Sequence, residues 1–541
     1  MNHSDTQNQD HNASARATAL AAVKNLNIKS TSKVKYQSSG RVAVIGGPEA
    51  IEFAPRLNAS LQTQVILLHG TEEPGVAVIS VGGRPVCIEG YLGAFSIILG
   101  DKGKANYQQV DVDLILDLSP DPLLTMPLKP PGYICAGIDE TDLVSAEQQL
   151  LNLVGTFEKP RYFNYDASIC AHGRAGQVAC NRCIEACPAE AIMSLVESIE
   201  VNPYLCQGGG VCATVCPSGA IQYAYPHAED TLEQIRILLK VYREHNGKDP
   251  IIGFFSEADG EVIEHKPDNL IPVLVEELAS VGLEVWLSTL AYGASAILLV
   301  DAGAMPSSVS KQLEQQLVTV AEILASMGYA DNSIRLVSPE SLNTESEPGM
   351  AKIKNASFSG IGGKRQTAFM AIDHLYAEAT HPRPMANLTV GAPFGSATVD
   401  ATRCTLCFSC AGVCPGHALQ TGDDLPQLQF IESHCLQCGL CTSACPEDAI
   451  SISPRLLFDR EIRNKPRVLH EEPPFCCVSC GKPFATQSMI NRMTDKLGAH
   501  WMFQDERAKR RLMMCEDCRV SDVVQDPVAM KQGFEAPPRQ H

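Results

Sequence analysis

Cys404-Thr-Leu-Cys407-Phe-Ser-Cys410-Ala-Gly-Val-Cys414-Pro415 is followed 31 residues on by Cys435-Leu-Gln-Cys438-Gly-Leu-Cys441-Thr-Ser-Ala-Cys445-Pro446. Each run places three thiols at intervals of x2, then a fourth after x3, directly before proline. Three thiolates so spaced on a tight loop wrap three corners of an iron–sulfur cube. Successive backbone N–H groups then point at its sulfides and offset their charge. The fourth cysteine sits one helical turn further, where proline directs it to the other cube. The spacing assigns Cys404, Cys407, Cys410 and Cys445 to one [4Fe–4S] cluster, and Cys435, Cys438, Cys441 and Cys414 to its partner. Zinc sites do not use this register.

The Cys-Pro ends recur upstream. Cys187-Pro-Ala-Glu-Ala-Ile192 and Cys216-Pro-Ser-Gly-Ala-Ile221 match Cys414-Pro-Gly-His-Ala-Leu419 and Cys445-Pro-Glu-Asp-Ala-Ile450. The simplest origin is an internal duplication that occurs twice. The first pair departs in two places. Before Cys180-x2-Cys183-x3-Cys187, the first slot holds Gln177, and the nearest spare thiol is Cys170. An insertion that loops out would return Cys170 to a [4Fe–4S] cluster with Cys180, Cys183 and Cys216; His172 is the alternative ligand. In Cys206-Gln-Gly-Gly209-Gly-Val-Cys212, glycine fills the second slot. Cys187, Cys206 and Cys212 then remain. Three thiolates suit a [3Fe–4S] cluster, or a [4Fe–4S] cluster with one open iron.

Two further pairs, Cys477-x2-Cys480 and Cys515-x2-Cys518, match a four-cysteine zinc ribbon, with a further iron–sulfur cluster as the competing reading. Cys476 adjoins the first pair and could substitute. Cys87 and Cys135 stand apart and are expected as small core residues. The turn Gly46-Gly47-Pro48 after a strand pattern suggests a nucleotide-binding turn. It lacks the GxGxxG spacing, and Pro48 removes a backbone donor.

The whole chain has 541 residues and a net charge of −19. Such acidity disfavours nucleic acid and anionic membranes as partners. It suits a basic docking partner. The longest uncharged apolar run, Val285–Val300, has 16 residues; a membrane span needs roughly 18 or more. MNHSDTQNQDHNASARATAL shows no apolar leader and no twin arginine, so a cytoplasmic location is expected. The 22 cysteines are clumped, with none from 217 to 403. Clumps and silences mark metal sites rather than a disulfide framework. Residues 455–541 carry 15 Lys/Arg against 12 Asp/Glu. Within them, Arg507, Lys509, Arg510 and Arg511 read as a solvated helix face that could meet an acidic partner.

Hydrophobic periodicity divides the chain. Residues 1–38 read as a disordered polar tail and 39–160 as an α/β domain opening with a βαβ-like segment. The ferredoxin-type module with atypical spacing covers 161–228. A cysteine-free α/β block follows over 229–385, with a long amphipathic helix at Val309–Met327 and a loop from Pro339 to Lys364. The 2[4Fe–4S] module spans 386–455, and 456–541 form the zinc-ribbon-like tail. The fold class is thus α/β domains combined with two α+β ferredoxin-like modules.

The two cysteine-rich modules resemble eight-iron bacterial ferredoxins. More widely, YDASICAHGRAGQVACNRCIEACPAEAI (165–192), LCQGGGVCATVCPSGAI (205–221) and FCCVSCGKPF…MCEDCRV (475–520) resemble a bacterial family of multi-cluster 4Fe–4S ferredoxins (polyferredoxins). That family accompanies molybdenum- or tungsten-dependent formate dehydrogenases. LVEELASVGLEVWLSTLAYGASAILLV (274–300) is similar to the delta subunit of methyl-viologen-reducing hydrogenases, whose cysteines hold a [2Fe–2S] cluster. The resemblance implies the fold but not the cluster, because those cysteines are missing. The expectation is a carrier relaying single electrons through about four clusters, to or from a dehydrogenase such as formate dehydrogenase. Two alternatives stand beside it: an accessory factor for such an enzyme's maturation, and an oxidoreductase with its own nucleotide or flavin site. No Ser/His/Asp constellation or paired carboxylates favour a stand-alone enzyme.

Overall fold

The computed structural model describes residues 3–527, apart from 27–28, 58, 72–76, 257–266, 304, 343–349, 351, 361, 424, 499, 501–502 and 504. Part of the expected 339–364 loop, and the tail beyond residue 527, lie outside the described residues. The chain forms two compact units, 1–167 with 181–382 and 168–180 with 383–541.

In the first unit, five strands form a parallel sheet in the order Val78–Ser80, Gln62–Leu67, Arg41–Gly46, Leu114–Asp117, Tyr133–Cys135. The strand order reverses beside Arg41–Gly46. A three-stranded antiparallel meander, Val86–Glu89, Phe95–Leu99 and Gln108–Val112, is inserted before the fourth strand. The five parallel strands thus run in the order 3-2-1-4-5 along the sheet, the order of the first five strands of an open α/β sheet. The central strands bury nearly every residue, as a parallel sheet covered on both faces requires.

The middle block has a second parallel sheet, ordered Leu270–Val275, Ile251–Ser256, Ala296–Val300, Ile334–Val337. The helices Ala228–Glu244, Leu283–Ala291, Ser307–Met327 and Lys364–Glu378 belong to the same block. Every residue of Leu283–Ala291 is buried, Trp286 at its centre. That explains an apolar run too short to span a membrane: it is core. Among the described residues no helix is long and apolar enough to cross one.

The amino-terminal residues differ from the expected disordered tail. His3–Val23 is helical and packs on Ala228–Glu244 through fully buried Ala15 and Ala19. Arg16 on the same helix donates to the Pro267 carbonyl (2.6 Å). Lys33–Ser38 pairs antiparallel with Gly155–Pro160. The low hydropathy of this stretch hid a helix that needs only small residues at its contact.

Both cysteine-rich modules repeat one plan. In the first unit the short helices Arg182–Ala186 and Val211–Val215 occur with the antiparallel pairs Phe163–Tyr165/Ile221–Tyr223 and Ile192–Ser194/Ile199–Val201. In the second unit Ser409–Gly412 and Leu440–Ser443 occur with the pairs Gly395–Val399/Ile450–Leu457 and Leu419–Thr421/Gln427–Phe430. The segment 168–180, expected inside the first module, belongs by its contacts to the second unit. Its hairpin Gly173–Arg174/Gln177–Val178 packs on the helix Leu440–Ser443.

Trp286→Ala leaves a large void in a core that is closed on every side. A loss of about 3–5 kcal/mol is expected in chemical denaturation, carried by the transition of the middle block.

Candidate metal centres

A loop that folds round a cube must curl within very few residues. In the carboxy-terminal module, Leu406 (φ 52°) and Phe408 (φ 59°) flank Cys407 in the left-handed region. Gln437 (φ 52°) and Gly439 (φ 86°) flank Cys438 in the same way. Leucine, phenylalanine and glutamine rarely accept such angles, so the curl is imposed by the loop rather than permitted by its residues. Each Cys-Pro end repeats a second device. The third residue after the cysteine is left-handed, as His417 (φ 51°) and Asp448 (φ 45°), and the fourth, Ala418 or Ala449, donates its N–H to the cysteine Sγ (3.2 and 3.3 Å). The repeated alanine therefore marks a backbone donor to a ligand sulfur.

These turns gather the eight thiols into two groups. One cavity of about 370 Å³ is lined by Cys404, Cys407, Cys410 and Cys445. Another of about 390 Å³ is lined by Cys414, Cys435, Cys438 and Cys441. Each is the set that the spacing assigns, with its fourth thiol crossing from the other loop. Leu406, Phe408, Leu428 and Ile450 close the first cavity, and Ala397, Phe430 and Ile452 the second. Burial, then the neighbouring thiols, push Cys410 up to about 12 and Cys438 up to about 11, and raise Cys441 further. Sulfurs this crowded would ionise together only with a cation among them, a charge that the iron of a cluster would supply. Cys441 also senses Cys410, so the two groups are neighbours.

The amino-terminal module keeps this geometry where its sequence departs. Gly208 (φ 85°) and Gly210 (φ 71°) flank Gly209 at the positions of the left-handed pairs around Cys407 and Cys438. Neither glycine admits a side chain. A Cβ on Gly208 would lie 2.9 Å from the Tyr162 ring, and one on Gly210 2.5 Å from Ser280. Gly209 is different: its φ is ordinary, and a Cβ would meet nothing within 4 Å. The loop thus has the curl and the space for a thiol but lacks the thiol. Burial raises Cys212 well above its ordinary value, and Cys206 and Cys187 add to this, so these three sulfurs are gathered; Cys183 acts on Cys212 as Cys410 does on Cys441, from the neighbouring group. Ala191 N–H donates to Cys187 Sγ (3.4 Å), and Glu190 is left-handed, as in the intact module. After Cys216 the alanine donor turns instead to Ser218 Oγ (3.2 Å).

Around Cys180 the pattern fails. Neither Ala179 nor Asn181 is left-handed; the positive angles fall at Ala175 and Gly176, in the inserted hairpin. Cys170 and Cys180 belong to the second unit, where Cys180 lies within electrostatic reach of Cys438. Cys183 and Cys216 belong to the first. His172 is 1% exposed, and its Nδ1 pairs with the Cys180 carbonyl (2.8 Å), which anchors the hairpin.

Cys477, Cys480, Cys515 and Cys518 place their sulfurs within 4.8 Å of one another, a set that can hold a metal ion. The first pair sits on the turn joining Pro474–Cys476 to Pro483–Thr486, with Gly481 left-handed (φ 77°). Cys515 caps the helix Glu516–Val524. Burial opposes ionisation of Cys477, but backbone donors of Cys480, Cys515 and Ser479 prevail and hold it down at about 6. Cys476 is exposed and stands outside the set. The neighbouring basic run is largely neutralised: Arg507 and Arg511 pair with Asp522 and Asp526, and Lys509 with Glu506.

The remaining expectations fare differently. Cys87 and Cys135 are exposed, not core: Cys87 takes an outward-facing strand position, and Cys135 ends its strand at the mouth of a cleft. At the Gly46-Gly47-Pro48 turn, Glu49 Oε1 accepts the Gly47 N–H (2.6 Å). A carboxylate thus occupies the donor that a phosphate would use. The cleft beyond Leu118 and Cys135 is lined by Ser119, Asp142 and Gln149 among others, with no Lys or Arg. The signals missed in the sequence were the paired left-handed glycines and Glu49, two residues after the turn's second glycine.

Two segments match known family models: 403–449 as a 4Fe-4S dicluster domain, and 199–222 as a 4Fe-4S binding domain. No curated protein matches the chain. The chain therefore carries 4Fe–4S ferredoxin domains set among α/β domains with parallel sheets, and ends in a four-cysteine cluster.

Cys480→Ser should cost the protein one bound metal ion at the tail while leaving acid-labile sulfide unchanged. Metal analysis with a sulfide assay checks this. Loss of sulfide would mean that the tail holds an iron–sulfur cluster.

Proposed function

We propose that the protein is a single-electron carrier with two clusters in each cysteine-rich module and a structural zinc in the tail. The observation that carries the reading is the pair of cavities, each lined by the four cysteines that the ferredoxin register assigns to one cube. Cys404, Cys407, Cys410 and Cys445 would hold one [4Fe–4S] cluster, and Cys414, Cys435, Cys438 and Cys441 the other. Iron–sulfur clusters exchange one electron at little structural cost, and two side by side make a short conducting path.

In the amino-terminal module, Cys187, Cys206 and Cys212 would hold a [3Fe–4S] cluster whose missing corner is Gly209. Cys170, Cys180, Cys183 and Cys216 as ligands rest on spacing alone. Zinc at Cys477, Cys480, Cys515 and Cys518 is favoured by four thiols on two turns. The source or sink of electrons would be a redox enzyme; the resemblance in the cysteine segments favours a formate dehydrogenase. The acidic chain suits docking to a basic face on that enzyme.

Anaerobically purified protein should contain about 15 iron and about one zinc, with a three-iron EPR signal before reduction by dithionite. About eight iron and no such signal would confine the clusters to the carboxy-terminal module. Cys438→Ser should lose one reducible cluster and slow electron delivery to the partner; unchanged partner turnover would end the relay reading. Gly209→Cys, which fits without a clash, should add a fourth thiolate. The three-iron signal should then vanish, and iron should rise by about one per chain.

A further inference from the structure

Lysines on the strand pair Lys33–Ser38/Gly155–Pro160 have ordinary partners, with one exception. Lys33 and Lys35 both pair with Glu158 (2.8 and 3.1 Å). Lys159, the next residue, is half-buried and directs its ammonium at the loop that carries Cys206. Its Nζ donates to the carbonyls of Tyr204 (3.1 Å) and Cys206 (2.5 Å) and lies 4.9 Å from the centre of the Tyr36 ring. Tyr36 OH donates to the same Tyr204 carbonyl (2.6 Å), and Tyr204 stacks on Tyr91 at 4.1 Å. Lys159 thus lies in an aromatic corner, and among the described residues no carboxylate pairs with it.

Partly burying an ammonium is costly unless an anion compensates. The corner is built round a cation whose counter-charge must come from the Cys206 side. An iron–sulfur group held there would supply it, through its thiolates and sulfides.

We propose that Lys159 is the charge partner of the iron–sulfur group at Cys187, Cys206 and Cys212 and raises that group's reduction potential. The inference rests on the reading of those three cysteines as ligands. Reduction adds one electron from an external donor such as dithionite and makes the group one unit more negative. A fixed positive charge beside Cys206 stabilises the reduced form more than the oxidised one. Lys159 acts as a positioning residue, through its field and through the Cys206 backbone, and ligates nothing itself.

The test is a redox titration of the full-length protein, following the EPR signal of this group. Lys159→Met should move its midpoint to more negative potential, and Lys159→Arg should leave it near the wild-type value. The signals of the carboxy-terminal clusters should stay fixed in both. If the Met variant fails to bind the group while the Arg variant binds it, the charge is needed for assembly, and the proposal is again supported. A Met variant that keeps the group with an unmoved or more positive midpoint would overturn it. So would loss of the group from both variants, since the shape of lysine rather than its charge would then matter. Wild-type protein without iron at this site would instead defeat the ligand assignment, a result read before any variant is compared.

Discussion

The curl that turns three successive thiols toward one point is the constraint on which the cysteine-rich modules depend. It requires left-handed backbone on both sides of the middle slot. In the intact loops that conformation is taken even by Leu406, Phe408 and Gln437, at a local cost of order 1 kcal/mol or more per residue. Tertiary packing and, on the proposed function, the bound cube would offset it. Because the curl is a backbone property, it can outlast the thiol it serves. That is the state of Cys206–Cys212, where Gly208 and Gly210 hold the bend round an empty second slot.

The register of 404–445 was legible in the sequence because ligand spacing and backbone geometry are one requirement. The two four-thiol cavities follow from the cysteines alone. The parallel sheets were legible from their apolar runs, since strands buried on both faces leave no other pattern. The amino-terminal helix was not legible, because Ala15 and Ala19 bury little area and give no periodic signal. Nor was the allegiance of residues 168–180, which depends on packing against Leu440–Ser443 rather than on anything local. The exposure of Cys87 and Cys135 is hidden for a related reason: an isolated cysteine carries no signal for the face of its strand or for where that strand ends.

The α/β parts of the chain make the same point from the other side. The sheet around Arg41–Gly46 has the strand order of an open α/β sheet and a glycine turn after its central strand, without the GxGxxG spacing. Yet Glu49 folds back on the Gly47 N–H, the donor that would meet a phosphate. The middle block keeps a four-stranded parallel sheet and has no cysteine from 217 to 403. Among the described residues, thiols are brought together in the cysteine-rich loops, and there the side chains converge.

Convergence of that kind survives unevenly between the two modules. Within 404–445 each cavity gathers four sulfurs in mostly apolar walls, but Gln437 Nε2 donates to Cys435 Sγ (3.3 Å) in one and the Glu447 carboxylate lines the other. Around Cys206 the surroundings are polar and specific: an ammonium with no carboxylate partner among the described residues, three tyrosines, and Tyr162 pressed against Gly208 while its hydroxyl donates to Glu276 (3.0 Å). On the proposed function, the two carboxy-terminal clusters would have potentials set by such neighbouring donors and charges. A cluster one thiolate short, with a cation set beside it, would be easier to reduce.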